Sequence, residues 1–218
     1  MRGKDGFYAK YVKRVLDVVL SALAMIVLSP VLLIVAILVR VKLGKPVIHT
    51  AKRPGRIDPK TGQERIFKLY KFRSMTNETD ANGKLLPDVD RLTKFGRILR
   101  AASLDELPEL WNIFKGDMSI VGPRPLGLLY IPYYTDEERH RHDVRPGLTG
   151  LAQVRGRNNL SWEGKFAYDV EYVNKMSFFF DVRIIFETVL KVFKREGIGQ
   201  GEQRPVSLHI ERAGKAYR

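Results

Sequence analysis

VVLSALAMIVLSPVLLIVAILV, residues Val18 to Val39, contains no ionisable side chain, and a run of about 20 apolar residues is what a helix needs to cross a bilayer core. A buried helix of a soluble domain is rarely this long. A secretory leader has a shorter apolar core ending at a small-residue cleavage site, whereas this run continues into Arg40, Val41, Lys42 and Leu43, so the segment is expected to be retained. Lys10, Lys13 and Arg14 precede it and Arg40, Lys42 and Lys45 follow it. The positive-inside tendency therefore pulls both ends to the cytoplasmic face, and a simple crossing satisfies only one. At the midpoint, Pro30 deletes a backbone donor, while the Ser29 hydroxyl can satisfy a freed carbonyl. Two arms of about ten residues, each rising about 15 Å, would dip partway into the membrane and return. This is a re-entrant hairpin broken at Ser29 and Pro30; on these residues alone a single kinked spanning helix stands beside it as an equal alternative. Asp17 lies one turn from Lys13, which offers a local ion pair.

The remainder of the 218 residues is enough for one ordinary domain. Lys and Arg number 38 against 24 Asp and Glu, a formal charge of +14, which predicts attraction to phosphate-bearing substrates, acidic lipid headgroups or nucleic acid. With no cysteine, disulfides, thiolate metal sites and a cysteine nucleophile are excluded. Pro46 to Thr50 and Ile66 to Met75 read as a small β-hairpin around a turn-rich Arg53 to Gln63, and Asn77 to Asp90 as a loop. Thr93 to Leu99, Glu109 to Phe114, Trp162 to Met176 and Phe178 to Glu196 read as helices. The last carries Phe178, Phe179, Ile185, Phe186, Val189 and Phe193 with Arg183, Lys191, Lys194 and Arg195, which suits either a membrane surface or packing on the core. The expected fold is helix-rich α+β: a membrane hairpin (1–45), a globular catalytic domain with a small β-hairpin and an interfacial amphipathic helix (46–196, the helix at 178–196), and a polar tail (197–218).

Arg100-Ala-Ala-Ser-Leu-Asp105-Glu106-Leu-Pro108 sets two carboxylates side by side after an arginine. Neighbours on a helix diverge by about 100°, so they would flank a bound group rather than share a proton, one attacking phosphorus while the other handles a proton or helps place a metal. Taken alone, Ser103 to Glu106 is better read as a capping box, except that Pro108 would then fall inside the helix; the helix must start later or kink. Gly122-Pro-Arg124-Pro fixes an arginine between prolines, pre-aimed for bidentate phosphate binding. Arg145-Pro-Gly-Leu-Thr-Gly150, followed by Gln153 and Arg155 to Asn158, supplies further guanidinium groups, close-approach glycines and amides. The histidines, His49, His140, His142 and His209, show no zinc spacing and read as surface residues. A metal, if used, would have hard oxygen ligands, which points to magnesium.

KFRSM (Lys71 to Met75), SLDELP (Ser103 to Pro108), GDMSIVGPRP (Gly116 to Pro125) and RPGLTGLAQVRGRN (Arg145 to Asn158) together resemble the bacterial sugar transferase family, the monotopic phosphoglycosyl transferases. The resemblance runs from about Tyr11 to Glu196 and is to minimal, single-domain members, with no further membrane-spanning domain expected before Val18. It implies transfer of a phospho-sugar from a UDP-sugar to polyprenol (undecaprenyl) phosphate with release of UMP, starting glycan assembly on the cytoplasmic face of the bacterial inner membrane. It also implies Asp105 as nucleophile and metal-binding carboxylate, Glu106 in proton handling, and Mg2+ at the diphosphate. Lys71, Arg100, Arg124, Arg145, Gln153 and Asp181 are carried into the site as phosphate-binding, substrate-binding or orienting groups. Ser29-Pro30 matches the family's hairpin break. Leu151 and Arg155 depart from the common tryptophan and asparagine, which leaves the sugar open. No nucleic-acid partner is expected, because the aromatic-rich motifs of single-strand binders are missing.

Overall fold

A computed structural model describes residues 3–156, 160–194 and 206–214, with side chains as far as residue 191 in the second stretch. Val18 to Val39 is divided between two helices. α1 (Lys13–Val27) stops one residue before α2 (Ser29–Leu43), and their axes are bent by 64°. Pro30 falls in the first turn of α2, where a missing N–H costs nothing. The Ser29 hydroxyl donates to the Ile26 carbonyl (2.8 Å), an acceptor that the break leaves open. Among the described residues no single helix is long and apolar enough to cross a membrane; the bent pair passes that test only jointly.

One face of α1 is polar and turned inward: Lys13, Asp17 and Ser21, spaced four apart, are buried, while Val15, Val19, Leu23 and Ile26 point outward. This inverts the pattern of a soluble amphipathic helix. The pair offered by Asp17 and Lys13 is replaced by tertiary partners. Asp17 accepts from the Ser119 hydroxyl and the Ile120 N–H, both at 3.0 Å, and Lys13 pairs with Asp181. The rest of the inner face is apolar. Ala24, Met25 and Leu28 pack on Ile113 and Met118, and Val35 and Val39 of α2 pack on Phe72 and Leu99.

β1 (Ile48–Ile57) and β2 (Glu64–Phe72) pair antiparallel, Thr50 opposite Tyr70 and Arg53 opposite Phe67. β1 thus extends into the turn-rich stretch from Arg53, and a register shift between Pro54 and Ile57 accommodates the proline. The outer edge of β2 is covered by a side chain. Asn112, fully buried, accepts from the Tyr70 N–H (3.0 Å) and donates to the Lys68 carbonyl (2.7 Å) and to Asp117 (3.0 Å). Replacing Asn112 with alanine is expected to cost about 2–4 kcal/mol, because it strands buried edge groups next to Lys71; a melting curve in detergent checks this.

α3 (Asp88–Arg91) and α4 (Lys94–Ala101) follow; Thr93 caps α4 by accepting from the Gly96 N–H at 3.0 Å. α5 (Glu109–Lys115) starts just after Pro108, as the proline requires. Parts of GDMSIVGPRP and RPGLTG meet as a parallel pair, β3 (Ser119–Val121) and β4 (Gly147–Thr149). A Cβ on Gly122 would stand 2.5 Å from the Arg145 carbonyl oxygen, and one on Gly147 would stand 2.1 Å from the Gly122 nitrogen. Only glycine permits that approach.

α6 (Asp136–Arg139), α7 (Leu151–Arg155), α8 (Trp162–Lys175), α9 (Phe178–Lys194) and α10 (Leu208–Glu211) complete the helix-rich α+β fold. Tyr172 and Val173 of α8, Ile184 of α9, Val121 and Leu151 form the main core. One face of α9 packs on the core and the other is left uncovered. Ile184 and Asp181 are buried, whereas Phe179 and Phe186 are 82% and 62% exposed. The side chains of Phe193, Lys194 and Arg195 lie outside the described residues, as do Arg157 and Asn158.

Candidate active site

Lys71 reaches the site because β2 changes its buried side. Phe67 and Leu69 are buried on the face shared by Lys71, while Phe72 is buried on the opposite one, so the strand's last inward position is a cation. Ser103 supplies the second element. Its φ of 55° and ψ of 20° lie in the left-handed region and it caps nothing, so the capping box expected at Ser103 to Glu106 does not form. A capping box does form at Thr135 with Glu138, at the start of α6. The left-handed residue turns the chain out of α4 into a single 3-10 turn, Leu104–Glu106. There Asp105 and Glu106 diverge as neighbours on a tight helix must.

Glu106 is clamped: Lys71 and Arg124 each donate to its Oε1 at 2.6 Å. Burial alone would raise its carboxyl, but Arg124 and Lys71 outweigh that and hold it at about 2. Glu106 is therefore an anion at any working pH. Asp105, which bonds neither Lys71 nor Arg124, is buried at the edge of the cleft. Its pKa is raised, by burial first and by the neighbouring Glu106 charge second, with Lys71, Arg100 and Arg124 opposing. The two adjacent carboxylates are thus separated chemically, which equips them for different tasks.

Glu109, at the start of α5, meets Lys71 from the other side at 3.0 Å. Burial, partly countered by Lys71 and reinforced by Glu106, pushes it up to about 7. Because the folded value lies above the ordinary 4.5, the fold favours the protonated form, and that stability is lost as pH rises through about 7. Glu109→Gln, permanently neutral, is expected to match the parent's melting temperature near pH 5 and to exceed it above pH 8. Melts at both pH values check this; a difference independent of pH would contradict it.

Asp105, Glu106, Lys71, Arg100, Arg124 and Gln153 all line one cleft of about 830 Å³. Arg100 donates to the Ser74 hydroxyl at 2.8 Å. Arg124 is held at its backbone, where its carbonyl accepts from Arg141 (2.7 Å), itself buried and paired with Asp169 at 2.8 Å. Arg145 and Asp181 are not among the lining residues. Arg145 donates to the Gly116 carbonyl (2.9 Å). Asp181 accepts from Tyr8 (2.6 Å) and Tyr172 (2.7 Å) and pairs with Lys13; the aspartate that reaches the cleft from the helical half is Asp169.

Sequence reasoning missed Arg53, His49, Glu109 and Asp169. Arg53 lines the cleft and its buried Nε has no hydrogen-bond partner. The only available signal was its place in a β-hairpin next to Lys71. The histidines are not uniformly on the surface: His49 lines the cleft, and His142 is buried, its Nδ1 3.1 Å from the Gly55 carbonyl, with burial holding it at about 3.

For a hard cation, Glu106 is committed to Lys71 and Arg124, and Glu109 to Lys71. Asp169 is paired with Arg141 and Asp88 with Arg91, whereas Asp105 lines the cleft and pairs with neither Lys71 nor Arg124. Such a donor set fits a magnesium ion carried largely by diphosphate oxygens and water rather than caged by protein.

A cationic cleft with one fixed anion and one buried, raised carboxyl defines a site for a phosphate-bearing substrate. The family profile described as bacterial sugar transferase matches residues 8–195, and the chain belongs to that family. It is 48% identical over 188 residues to the uncharacterized sugar transferase EpsL of Bacillus subtilis, covering 86% of this chain and 90% of that one. It is 34% identical to the undecaprenyl-phosphate galactose phosphotransferase of Salmonella typhimurium, covering 87% of this chain but 42% of that longer protein. With the UDP-glucose:undecaprenyl-phosphate glucose-1-phosphate transferase of Caulobacter vibrioides it shares 38% identity over 81% of this chain and 68% of that one.

Proposed function

We propose that this sugar transferase moves a phospho-sugar from a UDP-sugar to polyprenol phosphate in two steps. In the first, an Asp105 carboxylate oxygen attacks the sugar-linked phosphorus. The bond to UMP breaks, UMP leaves with the electron pair, and an aspartyl phospho-sugar remains. In the second, the polyprenol phosphate oxygen attacks the same phosphorus and Asp105 departs as carboxylate, giving the polyprenol-diphosphate-sugar. The names of the Salmonella and Caulobacter relatives, an undecaprenyl-phosphate galactose phosphotransferase and a UDP-glucose:undecaprenyl-phosphate glucose-1-phosphate transferase, support the overall transfer. The observation that carries the reading is the clamp of Lys71 and Arg124 on Glu106 beside the buried Asp105.

A raised, poorly solvated carboxylate is a better nucleophile than an exposed one, and the surrounding cations lower its repulsion from the diphosphate. Arg124 and Lys71, kept in place by Glu106, stand ready for the charge that develops on the leaving phosphate. Glu106, held at about 2, is assigned to orienting these cations more than to donating a proton. Magnesium, which Asp105 would hold together with the substrate diphosphate, would supply Lewis-acid neutralisation of the phosphate oxygens.

The bent α1–α2 pair and the exposed phenylalanines of α9 are assigned to the membrane, α1–α2 as a re-entrant hairpin with both ends at the cytoplasmic face of the inner membrane. That seat keeps Asp105 level with a lipid phosphate at one interface. Labels at Gly3 and Lys45 test it: accessibility from opposite sides of the membrane would sink the hairpin. The function is tested by a UDP-sugar panel with undecaprenyl phosphate in magnesium, scored by UMP. Release from at least one donor is expected; no release from any donor by protein folded in lipid would overturn the reading.

A further inference from the structure

The family match ends at residue 195, yet residues 206–214 are built into the body of the protein. Leu208 is completely buried among Tyr134, Trp162 and Phe166. Arg212 forms a two-pronged pair with Glu138, both contacts at 2.7 Å. It also donates to the Tyr133 carbonyl (2.7 Å) and to Glu163 (3.1 Å). Such a fork, buried and hydrogen-bonded on several sides, holds its segment in one geometry. The chain just before this anchor touches the cleft: the Val206 carbonyl accepts from the Trp162 indole N–H at 2.8 Å, and Ser207 lines the cleft beside Trp162, Tyr130 and Lys165.

The two parts of the cleft differ in chemistry. Lys71, Arg100, Arg124 and Arg53 suit phosphates. Trp162 is buried, with Phe166 stacked on it and Lys165 4.5 Å from its ring centroid, so it backs this part of the wall. Half-buried Tyr130, in edge contact with it at 5.3 Å, and Lys165 are left to meet a ring and its polar edge. A sugar nucleotide has both parts, a diphosphate and the rings it joins.

We infer that the segment 206–214 is a latch that completes the donor-binding wall, with Ser207 against a ring of the sugar nucleotide and Arg212 and Leu208 as its anchor. The inference rests on the transferase reading above. Ser207 is accordingly a specificity-determining residue outside the family-wide motifs, while Arg212 and Leu208 are positioning residues that act through Ser207 and Trp162.

The test uses the full chain in lipid with UDP-sugars and undecaprenyl phosphate. Ser207→Phe narrows the cleft without touching the anchor and is expected to raise donor KM about tenfold, with kcat changed less than about threefold, since the loss falls on binding common to ground and transition states. Arg212→Met releases the anchor and is expected to raise KM in the same direction. UMP as competitor separates the nucleoside end of the donor from its sugar end. If its inhibition weakens in step with donor KM, the wall holds the uracil end. If inhibition is unchanged while the ranking of donors shifts, it holds the sugar. Both results support the latch. Turnover by both variants with parental KM, parental UMP inhibition and parental donor ranking overturns it. So does a fall in kcat and melting temperature with KM intact, which marks a purely structural clasp. If the parent protein releases no UMP from any donor, the transferase reading itself fails and the inference falls with it.

Discussion

Asp105→Asn is expected to reduce UMP release by at least about a thousandfold, because an amide neither attacks phosphorus nor forms the acyl phosphate. The melting temperature should hold or rise. Asp105 is buried and its carboxyl is raised by that burial, so removing the charge removes a desolvation cost. Loss of turnover with stability intact distinguishes a nucleophile from a structural acid. Activity and stability falling together, or activity surviving, would contradict the role. Glu106→Gln forms a useful contrast, since it frees Lys71 and Arg124, which both bond its Oε1; it should weaken both catalysis and folding.

The second large effect is on the fold. Asp181→Ala is expected to cost about 3–5 kcal/mol, the usual penalty for removing one partner of a buried ion pair. It strands Lys13 and deprives the Tyr8 and Tyr172 hydroxyls of their common acceptor. These contacts tie the start of α1 to α8 and α9, so the loss should appear as a lowered melting temperature and as protease access near residue 13. If Asp181→Ala instead melts like the parent while turnover disappears, Asp181 belongs to the reaction.

This contrast shows where the sequence could be read and where it could not. The break at Ser29-Pro30, the β-hairpin and the late start of α5 after Pro108 follow from local rules, namely a missing N–H, alternation along a strand and the geometry of the first helical turn. Lys71, Arg124, Asp105 and Glu106 were found through their motifs, and the structure brings them together. What escaped depends on distant partners. Nothing near Asp17 or Lys13 announces Ser119 or Asp181. The pairing of β3 with β4 joins three-residue segments more than 20 residues apart, too short to carry a periodic signal. Arg53 and Glu109 looked like a turn residue and a helix start; packing puts Arg53 in the cleft and sets Glu109 against Lys71. The tail after Gly197 reads as polar, because nothing around Leu208 and Arg212 reveals that they find a pocket and a carboxylate.

His142 illustrates the same limit. Four scattered histidines without metal spacing reasonably suggest a solvated surface, but burial decides which of them can take a proton. His142, with its Nδ1 beside the Gly55 carbonyl, is held neutral by desolvation.

The central claim is that Asp105 becomes covalently linked to the phospho-sugar. The direct measurement is intact-mass and peptide analysis of the protein quenched after incubation with a turned-over UDP-sugar and magnesium, without undecaprenyl phosphate. The account predicts a gain equal to one phospho-sugar on the peptide containing Asp105, absent in Asp105→Asn and discharged on adding the lipid phosphate. Full turnover with no adduct at any quench time, or an adduct on another residue, would contradict it.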